Sequence, residues 1–142
     1  AERGIDTSGF QARQVTNALL DEAELVLTMT LRQRSWIAED DPAVVNRAFT
    51  MKEFARLAAR APADDAKSAR ALVQWAGANR AVHPAASDAT DDILDPYGHE
   101  TGAYTTAFNE ILAACGAIGA ELSKRDKLRG KAPANPFADF TL

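Results

Sequence analysis

One short step of the chain, Asp95-Pro96-Tyr97-Gly98, combines a carboxyl group and an aromatic ring within a loop rich in aspartate. A carboxyl group such as that of Asp95 can donate a proton to a leaving group or take one from water. The same step also fits a structural role, because Asp-Pro often begins a turn and Tyr97 would then pack over the following helix. A catalytic role for Asp95 would require a nucleophile opposite its carboxyl group.

No nucleophile accompanies Asp95 at a recognisable spacing. Cys115 is the only cysteine, and it falls on an apolar helical stripe, which is typical of a buried structural thiol. The sequence contains neither a glycine-rich nucleotide loop nor the spacing of a Ser-His-Asp triad. His83 and His99 flank several aspartates, but the ligand spacings of zinc and calcium sites are absent. We therefore expect neither a cofactor nor a metal ion.

The composition is that of one ordinary domain. The chain has 142 residues, 46% of them hydrophobic, and a net charge of -4. This charge argues against a nucleic-acid partner, since binding to phosphates needs an excess of Lys and Arg. The longest apolar run, from Ile111 to Ala120, is too short to cross a membrane. With a single cysteine and no secretory signal pattern, the sequence predicts a cytoplasmic protein without a membrane span.

Caps and hydrophobic patterns predict the elements that precede the acidic loop. Thr16 and Thr30 can each cap a helix, and the stretch 24–29 between those helices, mostly apolar from Leu25 onward, is typical of a buried parallel strand. A second, very short strand is expected at 47–49. These segments form a strand-helix-strand unit.

The second half of the chain is predicted to be mainly helical. Thr50 and Glu53 have the spacing of a capping box, so a helix begins there. The patterns further predict a helix from Asp64 to Ala81, a loop from His83 to His99, a helix from Thr101 to Lys124, and a loosely ordered basic tail over 126–142. The basic residues of 124–131 cluster where positive charge complements the end of the last helix.

Four motifs, in order and spacing, resemble the low-molecular-weight protein tyrosine phosphatases. They are Gly4-Ile5-Asp6, Ala12-Arg13-Gln14-Val15-Thr16, Ala23-Glu24-Leu25-Val26-Leu27-Thr28-Met29, and Asp95-Pro96-Tyr97 before an apolar helix. The resemblance covers roughly residues 1–123 and implies a doubly wound, four-stranded parallel sheet with helices on both faces. It also implies hydrolysis of phosphotyrosine monoesters in a substrate protein through a phosphocysteine intermediate.

The resemblance assigns roles to two residues of the acidic loop. Asp95 matches the general acid of the family, and Tyr97 matches an aromatic residue that lines the wall for the substrate ring. The chain departs from the family at Gly98, where a second aromatic residue is common, and at Phe10, where many members have His. These departures concern ring binding and the local polar contacts.

The nucleophile of this family lies on a Cys-x5-Arg loop after the first strand, and no such loop occurs in the 142 residues. Cys115 does not replace it, because Glu121 stands where the Arg should be and would repel a phosphate. We therefore expect a phosphatase domain over 1–125 that lacks an N-terminal segment of roughly 40 residues and is inactive without it. Such a remnant should be helix-rich, marginally stable and prone to self-association through the edge of strand 24–29.

One other function is compatible with the sequence, and a second is disfavoured by it. One is a non-catalytic helical binding module, which would fold cooperatively and show no affinity for phosphate. The other is arsenate reductase chemistry on the same scaffold, which needs several thiols, whereas Cys115 is alone.

Overall fold

The computed structural model describes residue 6 and residues 8–128, and these form a helix-rich α/β structure around a small parallel sheet. In chain order the elements are α1 (Asn17–Glu22), β1 (Val26–Thr28), α2 (Leu31–Asp40), a 3₁₀ turn (Pro42–Val44), β2 (Ala48–Thr50), α3 (Met51–Ala58), α4 (Ala69–Asn79), α5 (Asp88–Asp91) and α6 (Thr101–Leu128). Within this part of the chain, no helix combines the length and the apolar character needed to span a membrane.

The sheet consists of β1 and β2, which pair in parallel with Val26 opposite Ala48 and Thr28 opposite Thr50. The crossover between them contains α2, as the predicted strand-helix-strand unit requires. The helix-rich α/β class is thus confirmed. The described residues contribute two strands to the sheet, and the four-stranded, doubly wound sheet stays a prediction.

Threonine caps define three of the helices. The side chains of Thr16, Thr30 and Thr50 accept hydrogen bonds from backbone N–H groups in the first turns of α1, α2 and α3. The capping box predicted for Thr50 and Glu53 is present, and Thr30 forms a second one with Gln33. Because each cap satisfies donors that the helix itself leaves unpaired, these starting points were readable from the sequence.

The predicted start of α4 was wrong. We expected Asp64 to open this helix, but it begins at Ala69, where Ser68 caps it by accepting a hydrogen bond from the N–H of Ala71 at 3.1 Å. Ala66, between the two positions, is fully buried and its carbonyl accepts a hydrogen bond from a side chain of α6. The residues before Ser68 therefore form turns that dock onto the core rather than a first helical turn.

The last helix is confirmed and is longer than predicted. Helix α6 continues to Leu128, three residues into the segment predicted as a tail, and the remainder of that segment, 129–142, lies outside the described residues. Arg125, predicted as part of a basic cluster at the helix end, is instead buried. Its guanidinium donates hydrogen bonds to the carbonyls of Ala66 and Ala61 and pairs with Glu121.

Two apolar clusters form the core. The larger one joins β2, α3, α4 and the middle of α6 through Phe49, Phe54, Leu57, Ala58, Ala66, Leu72, Val73, Ala76 and Ile118. The smaller one joins the start of α3, the first half of α6 and one residue of the acidic loop through Met51, Ile93, Ala107 and Ala114. The smaller cluster therefore fixes the loop that carries Asp95.

Candidate functional site

The carboxyl ends of both strands lead directly into helices. β1 is followed by α2 with its cap at Thr30, and β2 is followed by α3 with its cap at Thr50. Two helix N-termini therefore lie at the same edge of the sheet. In open α/β folds this edge is where ligands usually bind, and helix N-termini there favour anions.

The acidic loop is attached to this edge. The N–H of Ile93 donates to the carbonyl of Met29, just beyond β1, at 2.8 Å, and the carboxylate of Asp92 accepts from the N–H of Leu31, in the first turn of α2, at 2.7 Å. Ile93 itself is buried in the smaller core cluster. Asp95 follows two residues later, so its Cα lies within about 7 Å of the Cα of Ile93.

Asp95 is exposed and forms a local turn. One of its carboxylate oxygens accepts a hydrogen bond from the N–H of Tyr97 at 2.9 Å, and the carbonyl of Pro96 accepts from the N–H of His99 at 3.0 Å. Gly98 has φ of 78°, as the third position of a type II turn requires. The turn expected from Asp-Pro is therefore confirmed. The second carboxylate oxygen of Asp95 has no protein hydrogen bond among the described residues.

The structural alternative, in which Tyr97 packs over the last helix, does not hold. Its side chain is 84% exposed, and Leu94 on the other side of Asp95 is 75% exposed. Phe10 is also exposed. An aromatic ring and a carboxylate two residues apart are thus both open to solvent at the carboxyl edge of the sheet.

Sequence reasoning missed the contacts that hold the loop. The segment from His83 to His99, predicted to be a loop, contains the short helix α5, which ends at Asp91. Asp91, expected in a solvated acidic loop, is buried in a two-pronged ion pair with Arg56 of α3, with distances of 3.2 Å and 2.8 Å. The hydroxyl of Thr50 donates to the Asp91 carbonyl at 2.6 Å, and Lys52 donates to the carbonyl of Asp92 at 3.1 Å. The paired residues are separated by 35 to 41 positions, so only the fold brings them together.

The two outer edges of the sheet differ. On β2, the carbonyl of Ala48 accepts a hydrogen bond from Arg80 at 2.6 Å. On β1, Val26 directs its N–H toward β2, so Leu27 directs its N–H and C=O to the opposite edge. No residue in the described part of the chain pairs with Leu27 there, and its side chain is 37% exposed. Within residues 6 and 8–128, the β2 edge is therefore covered by Arg80 and the β1 edge is left open.

Cys115, predicted to be a buried structural thiol, is only partly buried. It lies in the middle of α6 against the cluster that contains Met51 and Ile93. Burial raises its pKa, which lowers the thiolate fraction that a nucleophile needs. Glu121, six residues after Cys115 in α6, forms ion pairs with Lys124 and Arg125. The helix offers no loop of N–H groups around Cys115 that could hold a phosphate.

Two other features of the described residues do not add to the site. Among these residues no cluster of His, Cys, Asp and Glu could hold a metal ion. An open cavity of about 570 Å³ lies between α4 and the segments that precede the strands, at their amino ends. Arg47 lines it, but its guanidinium is occupied by the carbonyls of Leu20, Ala23 and Ala43. The cavity is thus at the end of the strands opposite to the acidic loop.

Comparison with known proteins does not extend these observations: no family model, no curated protein and no solved structure matches the chain.

Proposed function

We propose that these residues are the C-terminal portion of a protein tyrosine phosphatase, with Asp95 as its general acid and Tyr97 as a wall for the substrate ring. The observation that carries the proposal is the exposed Asp95-Pro96-Tyr97 turn at the carboxyl edge of the sheet, beside the N-termini of α2 and α3. The dipoles of these two helices favour an anion at this edge, although capping side chains and the carboxylates of Asp92 and Glu53 already accept from their first N–H groups.

In the proposed reaction a cysteine thiolate attacks phosphorus and the bond from phosphorus to the phenolic oxygen breaks. Asp95 gives its proton to that oxygen, so the product leaves as a neutral phenol. Asp95, now a carboxylate, then takes a proton from the water that attacks the phosphocysteine, and inorganic phosphate and the thiolate are released. Each step needs the Asp95 carboxyl to reach the substrate, which agrees with its exposure.

The thiolate and the Arg that grips the phosphate oxygens would come from a segment outside the 142 residues. The open edge of β1 supports this part of the proposal. A strand paired in parallel with β1 at Leu27 would end at the same edge as β1, and a loop after it would lie close to Asp95. The Cys-x5-Arg loop would thereby face the acid across the site.

Without that strand, we propose that the chain associates with a second copy through the edge of β1. Unpaired backbone groups on a strand edge are a template for another strand, and Leu27 and Met29 add exposed apolar surface there. At the β2 edge, the hydrogen bond from Arg80 to the carbonyl of Ala48 opposes pairing with a second copy.

The leaving group tests the role of Asp95. We would extend the chain at its amino end with a strand, a Cys-x5-Arg loop, a helix and a second strand, and compare Asp95→Asn with the unmodified extended protein. Hydrolysis of phenyl phosphate should fall by about 10² to 10⁴, and hydrolysis of p-nitrophenyl phosphate should fall less, because its leaving group needs less protonation.

Glu100→Gln is the matched control, since Glu100 is an exposed carboxylate directly after the same loop. It should leave both rates unchanged. If Asp95→Asn slows neither ester, or if Glu100→Gln has the same effect, Asp95 is not the general acid.

A further inference from the structure

The acidic loop changes from fixed to free within a few residues. Asp91 is 4% exposed and Ile93 is 2% exposed, whereas Leu94 is 75% exposed. From Leu94 to Gly98 the described hydrogen bonds are local ones within the turn. The position of Asp95 therefore depends on the residues just before it.

Three side chains of α3 and its cap hold those residues from one side. Arg56 binds both carboxylate oxygens of Asp91, and its third donor group reaches the carbonyl of His83 at 2.6 Å. Thr50 holds the Asp91 carbonyl. Lys52 holds the Asp92 carbonyl and pairs with Glu110 of α6 at 3.2 Å. The contacts come from one rigid helix, so they fix both position and direction.

The ion pair also has an electrostatic consequence. Asp91 is close in sequence to Asp95, and an unpaired carboxylate at that point would repel a phosphate dianion. The guanidinium of Arg56 lies 2.8 Å from the Asp91 carboxylate and compensates its charge. The carboxylate of Asp95, which accepts a hydrogen bond only from within its own turn among the described residues, remains as the acidic group of that turn.

We propose that Arg56, Asp91 and Lys52 form a loop clamp whose role is to position the Asp95 carboxyl for proton transfer. This inference rests on the proposed function. The three are positioning residues, because none of them lies in the exposed turn itself. Small displacements of a catalytic group by such residues can lower a rate by about 10²-fold.

The first test uses the 142-residue chain and does not depend on activity. Amide hydrogen exchange should show that Asp91→Asn increases exchange at Ile93, whose N–H bonds Met29, by about tenfold or more. Exchange at Leu57 in α3 and Val73 in α4 should change much less. Lys52→Met, which alters a partly exposed side chain, should give a smaller change at Ile93 and serves if Asp91→Asn does not fold.

Glu121→Gln is the matched control, because Glu121 also pairs its carboxylate with an arginine that docks on backbone carbonyls, Arg125. It lies about two turns beyond Ala114, the last α6 residue of the smaller core cluster. The Glu121→Gln variant should weaken the end of α6. It should not raise amide exchange at Ile93 more than at the rest of the chain. Equal effects of the variants at Ile93 and Leu57 would overturn the loop clamp.

The second test uses the extended protein with the Cys-x5-Arg loop. Asp91→Asn should slow phenyl phosphate hydrolysis more than p-nitrophenyl phosphate hydrolysis, as a displaced general acid requires, whereas a merely less stable protein would lose both rates equally. An extended protein that hydrolyses neither ester rejects the proposed function and leaves the exchange result standing. Equal loss of both rates in Asp91→Asn, in an active protein, rejects the positioning role.

Discussion

Burial decides how much each ion pair of this chain contributes to stability. The side chains of Arg56 and Asp91 are 19% and 6% exposed, and their two hydrogen bonds are fixed by the fold. Arg70 and Glu24 also form a close pair, but their side chains are 71% and 61% exposed. Water screens the second pair and competes for its hydrogen bonds.

We expect Arg56→Met to destabilise the chain by about 3 kcal/mol, because the Asp91 carboxylate would stay buried without its partner. Arg70→Met should have no measurable effect. Urea unfolding followed by circular dichroism measures both variants. Equal midpoints for the two variants would show that the Asp91 environment is more solvated than its burial indicates.

Cys115 should be a slow nucleophile. Burial raises the pKa of its thiol, so at about pH 8 its thiolate fraction is lower than that of a free cysteine. Reaction with an aromatic disulfide reagent should be slower in the folded chain than in urea. A folded-state rate equal to or above the unfolded rate would restore Cys115 as a candidate nucleophile.

The sequence predicted side chains that act on their neighbours and missed those that act across the fold. The turn at Asp95 and the caps at Thr16, Thr30 and Thr50 depend on residues within three positions. The partners of Asp91 depend on how α3 meets the loop, and nothing in their spacing indicates it. The sequence left two interpretations of Tyr97, packing over the last helix or lining a wall for a substrate ring, and the exposed turn removes the first.

Helices were predicted correctly where local signals define them and incorrectly where a contact with another element defines them. The apolar periodicity of α6 and the threonine caps were sufficient, since both signals are local. The start of α4 was misplaced because Asp64 and Asp65 look like an acidic first turn, while the deciding contact is the burial of Ala66 against α6.

The packing of α4 against the segment before β2 depends on Gly77. A Cβ at this position would lie 2.4 Å from the carbonyl oxygen of Asn46, whereas a Cβ at Gly116 in α6 would meet no atom within 4 Å. Gly77→Ala should therefore destabilise the chain by about 1 to 3 kcal/mol. Gly116→Ala should stabilise it by about 0.5 to 1 kcal/mol, since alanine favours the helix.

Thermal unfolding of the two glycine variants gives the comparison directly. If Gly77→Ala raises the midpoint as Gly116→Ala does, α4 is not held against Asn46 as described.

The molecule as a whole is a core of helices with a sheet that is closed on one side. Arg80 covers the β2 edge, while the β1 edge at Leu27 has no partner among the described residues. The doubly wound sheet implied by the resemblance would use that open edge. The helices α3, α4 and α6 pack against β2 and one another in a single cluster. Because this packing does not need further strands, it does not indicate how many strands the sheet has.

Self-association should depend on Leu27. A charged side chain on an open strand edge opposes pairing with another strand, so Leu27→Lys should shift the chain toward monomer in sedimentation velocity experiments. Val82→Lys changes an apolar residue that is 69% exposed and lies outside β1, and it should leave the association unchanged. Association that Val82→Lys abolishes and Leu27→Lys does not would place the interface elsewhere.

The most direct test of the phosphatase proposal is hydrolysis of p-nitrophenyl phosphate by the 142-residue chain and by the chain extended with a strand, a Cys-x5-Arg loop, a helix and a second strand. We predict no turnover by the chain alone. The extended protein should show turnover together with slowed amide exchange at Leu27. Turnover by the 142 residues alone, or an extended protein with Leu27 protected and no turnover, would contradict the proposal.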